Sequence, residues 1–179
     1  MKHVLTFLIF AFAFAFLFEG NAQILEINKP LFSDLPFFNA QFIRQNNVKS
    51  IKGSISSKKV RDIIRSNKLD YLYQFNSDGT LKSQLASHYS KGLKDSTVIS
   101  YAYNNNQISL LRKSDNQGYY SYRYTYDKDN NIISQKYCRD ENKFNSKKKF
   151  QLKKQYIIKK DSFSYEQFEN QTKKTFYNS

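Results

Sequence analysis

The chain lacks the residues on which most enzyme sites depend. Its 179 residues include no tryptophan, one cysteine and two histidines. A Ser-His-Asp or Cys-His site beyond the N-terminal segment would have to use His88, and no nucleophile-elbow or histidine-positioning sequence surrounds that residue. Zinc sites of the usual His and Cys type lack ligands for the same reason. The sequence therefore predicts no catalytic residue, no metal site and no bound cofactor.

Other site motifs are also missing. No phosphate-binding loop, dinucleotide fingerprint or EF-hand loop occurs. The acidic turns around Asp78 and Asp127 weakly suggest calcium, but the glutamate that closes an EF-hand loop is absent, which favours plain turns. Carboxylate pairs for glycoside hydrolysis stay open, although no spacing singles one out. An enzyme is therefore the least favoured class of function.

The single cysteine excludes an internal disulfide. Cys138 is either a buried small apolar residue or a thiol available to another molecule. Burial is favoured, because free cysteine is among the most buried residue types.

The N-terminus has the three parts of a secretory signal peptide. They are a basic residue, Lys2, an apolar run, Val4–Phe18, and small residues at Gly20 and Ala22. This order predicts cleavage between Ala22 and Gln23 and export to the periplasm, the outer surface or the medium. An uncleaved anchor is the alternative, but the run is shorter than the ~20 apolar residues that span a bilayer. We expect no membrane span after cleavage.

The net charge of +14 comes from lysine more than arginine, and the lysines are scattered along the chain. Lysine is accompanied by many Asn, Tyr, Phe and Ile residues, all of which have A/T-rich codons, so genome composition explains the charge as well as function does. We therefore predict no nucleic-acid partner. A weak attraction to anionic cell-surface polymers remains expected.

Residues 23–69 predict a mixed segment that opens with a short helix. Asp34 is a candidate N-cap, with Pro36 in the first turn. Three apolar side chains then share one helical face. They are Leu35, Phe38 and Phe42.

A strand and a second short helix are predicted next. Loose alternation over Val48–Ile55 favours a strand. Ser57 is a candidate cap for the second helix, which Asn67 would end. Its apolar residues have i, i+3, i+4 spacing. They are Val60, Ile63 and Ile64.

From Asp70 a repeated unit begins, in which an aromatic alternating strand leads through a polar turn into a second strand. The turns are at Asn76–Gly79, Asn104–Gln107 and Asp127–Asn131. Period-2 alternation bounded by Asn, Asp and Gly is the signal of a β-hairpin. We therefore predict a mainly β fold, an antiparallel meander of β-hairpin repeats with one or two short N-terminal helices.

The clearest strand is Tyr119–Tyr126. Because side chains alternate across a strand, the tyrosines at 120, 122, 124 and 126 share one face. We expect that face to be buried, with Tyr122 and Tyr124 less exposed than Ser121 and Arg123 on the other face.

The first and third units resemble YD repeats of the RHS type. The matching stretches are Tyr73-Gln-Phe75-Asn76-Ser-Asp78-Gly79-Thr-Leu81 and Tyr124-Thr-Tyr126-Asp127-Lys-Asp129-Asn130-Asn-Ile132. The resemblance covers about residues 70–137. More closely, the chain is similar to a group of exported proteins of Bacteroidetes-type bacteria that carry such repeats and have no assigned activity. The resemblance implies strand-turn-strand geometry. It does not imply the closed β-shell of large YD-repeat proteins, because this chain is too short.

The remaining sequence predicts a lysine-rich solvated loop within Asn142–Lys154 and further strands at Tyr156–Ile158 and Ser162–Phe168. A last strand at Thr175 runs into what resembles another turn. Either later hairpins are missing or the final strand frays. The predicted organisation is a signal peptide over 1–22, a mixed segment over 23–69 and a hairpin-repeat region over 70–179.

Two classes of function remain after these exclusions. The first is a non-catalytic exported protein with a structural or interaction role at the cell envelope or surface. Its partner would be an envelope protein or an anionic surface polymer. The second is a carbohydrate or polymer binding module that uses exposed tyrosines, because aromatic rings stack on ligands. The exposure of the tyrosines distinguishes the two.

Overall fold

The strands of the described residues form one antiparallel sheet in which every strand pairs with its neighbours in the chain. The computed structural model describes residues 24, 25 and 38–178. Its elements are α1 (Ala40–Gln45), β1 (Ser50–Ser57), β2 (Arg65–Phe75), β3 (Leu81–Ser90), β4 (Leu93–Asn104), β5 (Gln107–Asp115), β6 (Gly118–Tyr126), β7 (Ile132–Asn142), β8 (Leu152–Phe168) and β9 (Gln171–Asn178). The sheet order is β1 to β9 without a crossover. The predicted mainly β meander with a short helix is confirmed. The predicted signal peptide lies outside the described residues.

The three predicted turns are all present, and the first and third share one backbone pattern. In the first turn, the amide of Asn76 donates to the carbonyl of Thr80 at 2.9 Å and the amide of Gly79 donates to the carbonyl of Asn76 at 3.0 Å. The turn at Asp127–Asn131 repeats both bonds at 3.0 and 3.3 Å. Gly79 (φ +88°) and Asn130 (φ +67°) occupy the same position with positive φ. Glycine and asparagine tolerate this conformation better than other residues, which explains the exchange.

The hairpins also share a register shift at the last aromatic residue of each first strand. That residue pairs with the first aliphatic residue of the next strand, and one residue is left over beside it. The pairs are Phe75 with Leu81, Tyr103 with Ile108, and Tyr126 with Ile132.

Helix α1 begins later than the sequence predicts. Asn39 is its N-cap, and the Asn39 side chain accepts a hydrogen bond from the Phe42 amide at 3.0 Å. Phe38 is not on the helical face proposed for it, because it lies in extended chain bridged to Leu25. The proposed cap, Asp34, lies outside the described residues. Ile43 is the buried residue of the helix, at 1% exposure.

The prediction of a second helix is wrong. Residues 58–64 form a turn and an irregular link, and Val60 is 93% exposed. Asn67, the proposed end of that helix, lies in β2, where its side chain accepts a hydrogen bond from the Ser57 hydroxyl at 2.9 Å. Short helices depend on an apolar surface to cover, and here pairing of β1 with β2 takes the flanking chain into the sheet.

The C-terminal strands are longer than predicted. The two segments expected there are parts of one strand, β8, with a bulge opposite Tyr137 and Cys138. Strand β9 continues through Tyr177 and Asn178, where the sequence suggested the start of a turn. Asn178 pairs with Asp161 instead.

The apolar core sits at one end of the sheet, under α1. Ile43 packs with Phe75 and Leu81. The partly buried residues around this cluster are Phe38, Val48, Ile51, Tyr73 and Tyr101. The helix thus covers β1 to β4 on one face of the sheet.

Candidate functional site: the two faces of the sheet

Register assigns most tyrosines of the central strands to one face, with Tyr119 on the other. Tyr101, Leu111, Tyr122 and Tyr137 lie opposite one another in β4 to β7, and opposite residues share a face. We call this side the tyrosine face. The other side bears Ser100, Arg112, Ser121 and Cys138 in the adjacent row and is called the serine face.

Four tyrosines of β6 and β7 form a stack on the tyrosine face. Tyr137 lies between Tyr120 (ring centroids 5.8 Å apart) and Tyr122 (4.8 Å), and Tyr122 continues the stack to Tyr124 (6.5 Å). The rings are inclined to each other by only 17–26°. Tyr137 and Tyr122 therefore each have two neighbouring tyrosine rings with nearly parallel planes.

The predicted order of burial in β6 is wrong at Ser121. Ser121 is 0% exposed, whereas Tyr122 and Tyr124 are half-buried. Both faces of the sheet carry large side chains, and a serine between Arg112 and Cys138 is short enough to be covered by its neighbours. The tall tyrosine rings stand clear of the sheet, so their outer edges stay accessible.

Three other tyrosines form a ladder that joins successive hairpins. Each hydroxyl donates to the carbonyl of the aliphatic residue that opens the second strand of the preceding hairpin. The bonds run from Tyr103 to Leu81 (2.8 Å), from Tyr126 to Ile108 (2.8 Å) and from Tyr165 to Ile132 (2.9 Å). The first unit has Phe75 at this position and has α1 beside it in place of a preceding hairpin. The repeat is thus a bonding pattern as well as a sequence pattern.

Burial raises the pKa of several tyrosines on the tyrosine face, because a partly buried phenolate is poorly solvated. It raises the pKa of Tyr101 and of Tyr124 to about 12. Burial, with Tyr101 and Asp78 nearby, also raises the pKa of Tyr103. These phenol groups are therefore neutral at physiological pH and act through packing and neutral hydrogen bonds.

The serine face is partly covered by residues 143–151, which we call the strap. The ring of Phe150 lies 5.4 Å from that of Tyr119, and the guanidinium of Arg112 lies 3.6 Å from the centroid of the Phe150 ring. Arg112 Nε also donates to Asp140 Oδ2 at 2.8 Å, while Gln155 donates to Asp140 Oδ1 at 2.6 Å. Asp140 is 3% exposed, so this carboxylate is buried with its partners.

The strap was expected to be a solvated lysine loop, and Lys147 departs from that expectation. Its ammonium group donates to Asp95 Oδ1 and to the Ser96 carbonyl on β4. The hydrogen bond from Lys147 is the main reason that the pKa of Asp95 lies below its usual value. His88 Nε2 lies 3.9 Å from the other oxygen of Asp95. Sequence spacing gave no signal for this contact between β4 and the strap.

The residues considered for catalysis are not brought together. Cys138 is 0% exposed, as predicted, and burial raises the pKa of its thiol. His88 lies on β3, four strands away from β7 in the sheet, which is roughly 19 Å. Within 24–25 and 38–178, no group of three or more His, Cys, Asp or Glu side chains is placed to hold a metal ion.

The surface of the described residues has shallow hollows near β6 and β8. One of about 450 Å³ lies at the Gly118 end of β6, and one of about 560 Å³ lies between the third turn and β8. Asp127, in the second hollow, accepts hydrogen bonds from the amides of Asp129 (2.9 Å) and Asn131 (2.8 Å). Its carboxylate thus shapes the turn.

The part of the chain that the structure describes contains no helix long and apolar enough to cross a membrane. No protein-family model, curated protein or solved structure matches the chain.

Proposed function

We propose that this is an exported, non-catalytic β-repeat protein with a structural or interaction role at the cell envelope or surface. The supporting observation is the tyrosine stack. Its neighbouring rings stabilise the sheet, because each stacked aromatic pair contributes about 0.5–1.5 kcal/mol beyond burial. The proposal of export depends on the N-terminal sequence and on its resemblance to exported repeat proteins.

The alternative role is carbohydrate binding through the tyrosines. Sugar rings pack flat on aromatic rings, and such binding requires open ring faces. Tyr122 and Tyr137 each have two neighbouring tyrosine rings in the stack, which leaves less ring surface for a sugar. Tyr120 and Tyr124 each have one. The arrangement therefore favours the structural role for the four tyrosines.

Replacing the central ring of the stack separates these two roles. Tyr137→Leu removes two aromatic pairs, so we expect the free energy of unfolding to fall by about 1–3 kcal/mol. Tyr89→Leu is the matched control, because Tyr89 is exposed and outside the stack. It should change stability by less than about 1 kcal/mol. Urea unfolding measures both variants.

Cosedimentation with insoluble neutral polysaccharides completes the test. A structural role predicts no retention of the wild type on cellulose or chitin. Retention that Tyr137→Leu abolishes without loss of stability would establish the carbohydrate-binding role instead. Fractionation of cells that make the protein, with N-terminal sequencing of the product, tests export. An uncleaved product in the cytosolic fraction would contradict the envelope location.

A further inference from the structure

The link between β1 and β2 presents three aliphatic side chains to solvent. They are Val60 (93% exposed), Ile63 (69%) and Ile64 (68%). The amide of Asp62 donates to the carbonyl of Lys59 at 3.1 Å, which closes a turn with Val60 and Arg61 at its apex. Single exposed apolar residues are ordinary, whereas clustered ones mark a surface that contacts a protein or a membrane.

The turn between β3 and β4 extends this apolar surface. Alternate connections of an antiparallel meander lie at the same end of the sheet, so this turn lies at the end that bears the β1–β2 link. Leu93 is 75% exposed and Tyr89 is 53% exposed. The Tyr89 hydroxyl donates to the carbonyl of Asn67 at 3.2 Å, which places the turn beside the start of β2, where the link ends. We call residues 58–64 and 89–93 together the hairpin tip.

Exposed cations surround the aliphatic side chains of the hairpin tip. Four of them form no salt bridge within the part of the chain that the structure describes. They are Lys58, Lys59, Arg61 and Lys91. The one carboxylate of the hairpin tip, Asp62, pairs with Arg65 at 3.2 Å and accepts a hydrogen bond from the Ile63 amide at 2.7 Å. The four cations are therefore open to an external counter-charge.

We propose that the hairpin tip binds the surface of an anionic lipid bilayer. The four aliphatic side chains would enter the boundary between head groups and acyl chains, and the cations would lie against the lipid phosphates. Tyr89 suits the same depth, because tyrosine is enriched at membrane interfaces. The contact is with one leaflet. This inference rests on the proposed role at the cell envelope and names lipid as the partner.

Other occupants match the hairpin tip less well. The buried centre of a protein interface is depleted in lysine, whereas Lys58 and Lys59 directly precede Val60 in the chain. A second copy would bring like charges together. A free acidic polymer would satisfy the cations and leave the aliphatic side chains in water. A bilayer has negative charge and an apolar layer next to each other.

Tryptophan fluorescence tests the site directly, because the chain contains no tryptophan. In the full chain, Val60→Trp places the single indole at the apex of the hairpin tip. Phe168→Trp is the matched control, since Phe168 is 54% exposed and lies at the opposite end of the sheet. On vesicles of phosphatidylglycerol and phosphatidylcholine, the emission of Val60→Trp should shift to shorter wavelength and be quenched by brominated acyl chains. The emission of Phe168→Trp should not change, and vesicles of phosphatidylcholine alone should shift neither variant.

Charge variants made in the Val60→Trp chain measure the electrostatic part. Lys58→Gln/Lys59→Gln should lower the affinity for the anionic vesicles by about thirtyfold. Lys82→Gln/Lys128→Gln removes the same charge from exposed positions at the opposite end of the sheet. That control should lower the affinity by less than about threefold.

An apolar variant distinguishes a bilayer from a free polyanion. Ile63→Ser/Ile64→Ser should weaken binding to the anionic vesicles by about tenfold or more. Its affinity for dextran sulfate should equal that of the parent chain, because the cations are unchanged. The thermal midpoint should also be unchanged, since both side chains are exposed.

Three results would overturn the proposal. The first is an emission of Val60→Trp that anionic vesicles leave unchanged, and the second is an equal loss of affinity in the two charge variants. The third is self-association in sedimentation velocity that Ile63→Ser/Ile64→Ser abolishes, which would assign the hairpin tip to a second copy. Cell fractionation and the stability of Tyr137→Leu test the envelope role without vesicles, so failure of one proposal is distinguishable from failure of the other.

Discussion

Gly79→Ala should displace α1 from the sheet. A Cβ at position 79 would lie 2.0 Å from the carbonyl oxygen of Ala40 and 2.8 Å from its carbonyl carbon. Both atoms belong to the helix backbone, so no side-chain rotation relieves the clash. Gly92 offers a matched control, because it also has a positive φ (+79° against +88°) and its added Cβ would meet nothing within 4 Å.

The expected magnitudes follow from these two environments. At either glycine, an L-residue with positive φ costs about 1–2 kcal/mol. At Gly79 the helix must also move, and it then exposes Ile43, whose burial is worth about 1.5–3 kcal/mol. We therefore expect Gly79→Ala to cost about 3–5 kcal/mol and Gly92→Ala about 1–2 kcal/mol.

Urea unfolding followed by far-ultraviolet circular dichroism measures both variants. Hydrogen exchange should show loss of protection in α1 and at the start of β1 in Gly79→Ala alone. Equal losses of stability in the two variants would refute the reasoning, since backbone strain would then account for the whole effect and contact with the helix for none of it.

Four further outcomes are expected. Tyr126→Phe should cost about 1 kcal/mol through the lost hydroxyl bond, whereas Tyr120→Phe, whose hydroxyl has no partner in the described part of the chain, should be neutral by urea unfolding. The pKa of Tyr101 is about 12 in the folded protein and about 10 in the unfolded chain. The stability that Tyr101 contributes is therefore complete below pH 10 and is lost between about pH 10 and 12. Thermal melts over that pH range should record the loss. Asp140→Asn should cost about 3 kcal/mol or more in the same unfolding assay, because it leaves the guanidinium of Arg112 without its counter-ion. Self-association through the edge of β9 that pairs with no strand in the described residues should grow with salt in light scattering, because salt screens repulsion between positively charged chains over ~8 Å.

Local chemistry made the turns predictable. Asp78 and Asp127 bond to amides and hydroxyls within four residues of themselves, so each turn is specified by its own sequence. The alternation of Tyr119–Tyr126 predicted β6 for the same reason. The apolar spacing of Val60 and Ile63 predicted a helix, but only a surface elsewhere in the chain would have stabilised it, and the sheet offers none there.

The features of the two faces could not be predicted, because they depend on which residues lie opposite each other in neighbouring strands. The sequence alone does not give that register. Arg123, Lys136 and Lys160 lie opposite one another in β6, β7 and β8 although they are far apart in the chain. The contact of Lys147 with Asp95 crosses 52 positions. For Ser121 the sequence predicts the strand correctly and the burial wrongly. Alternation identifies the two faces of a strand, but it does not say whether one face or both faces are covered.

Nearest-neighbour pairing has a consequence for how the chain folds. Each hairpin can close by local contacts alone, so we expect fast folding that spreads from hairpin to hairpin along the sheet. The strap is different, because Lys147 can reach β4 only after the three strands between them, β5 to β7, have formed. Docking of the strap would then be a late step, and the sheet without it should open from its β9 end while the end held by α1 stays closed. Native-state hydrogen exchange would record this as protection that falls from β3 towards β9.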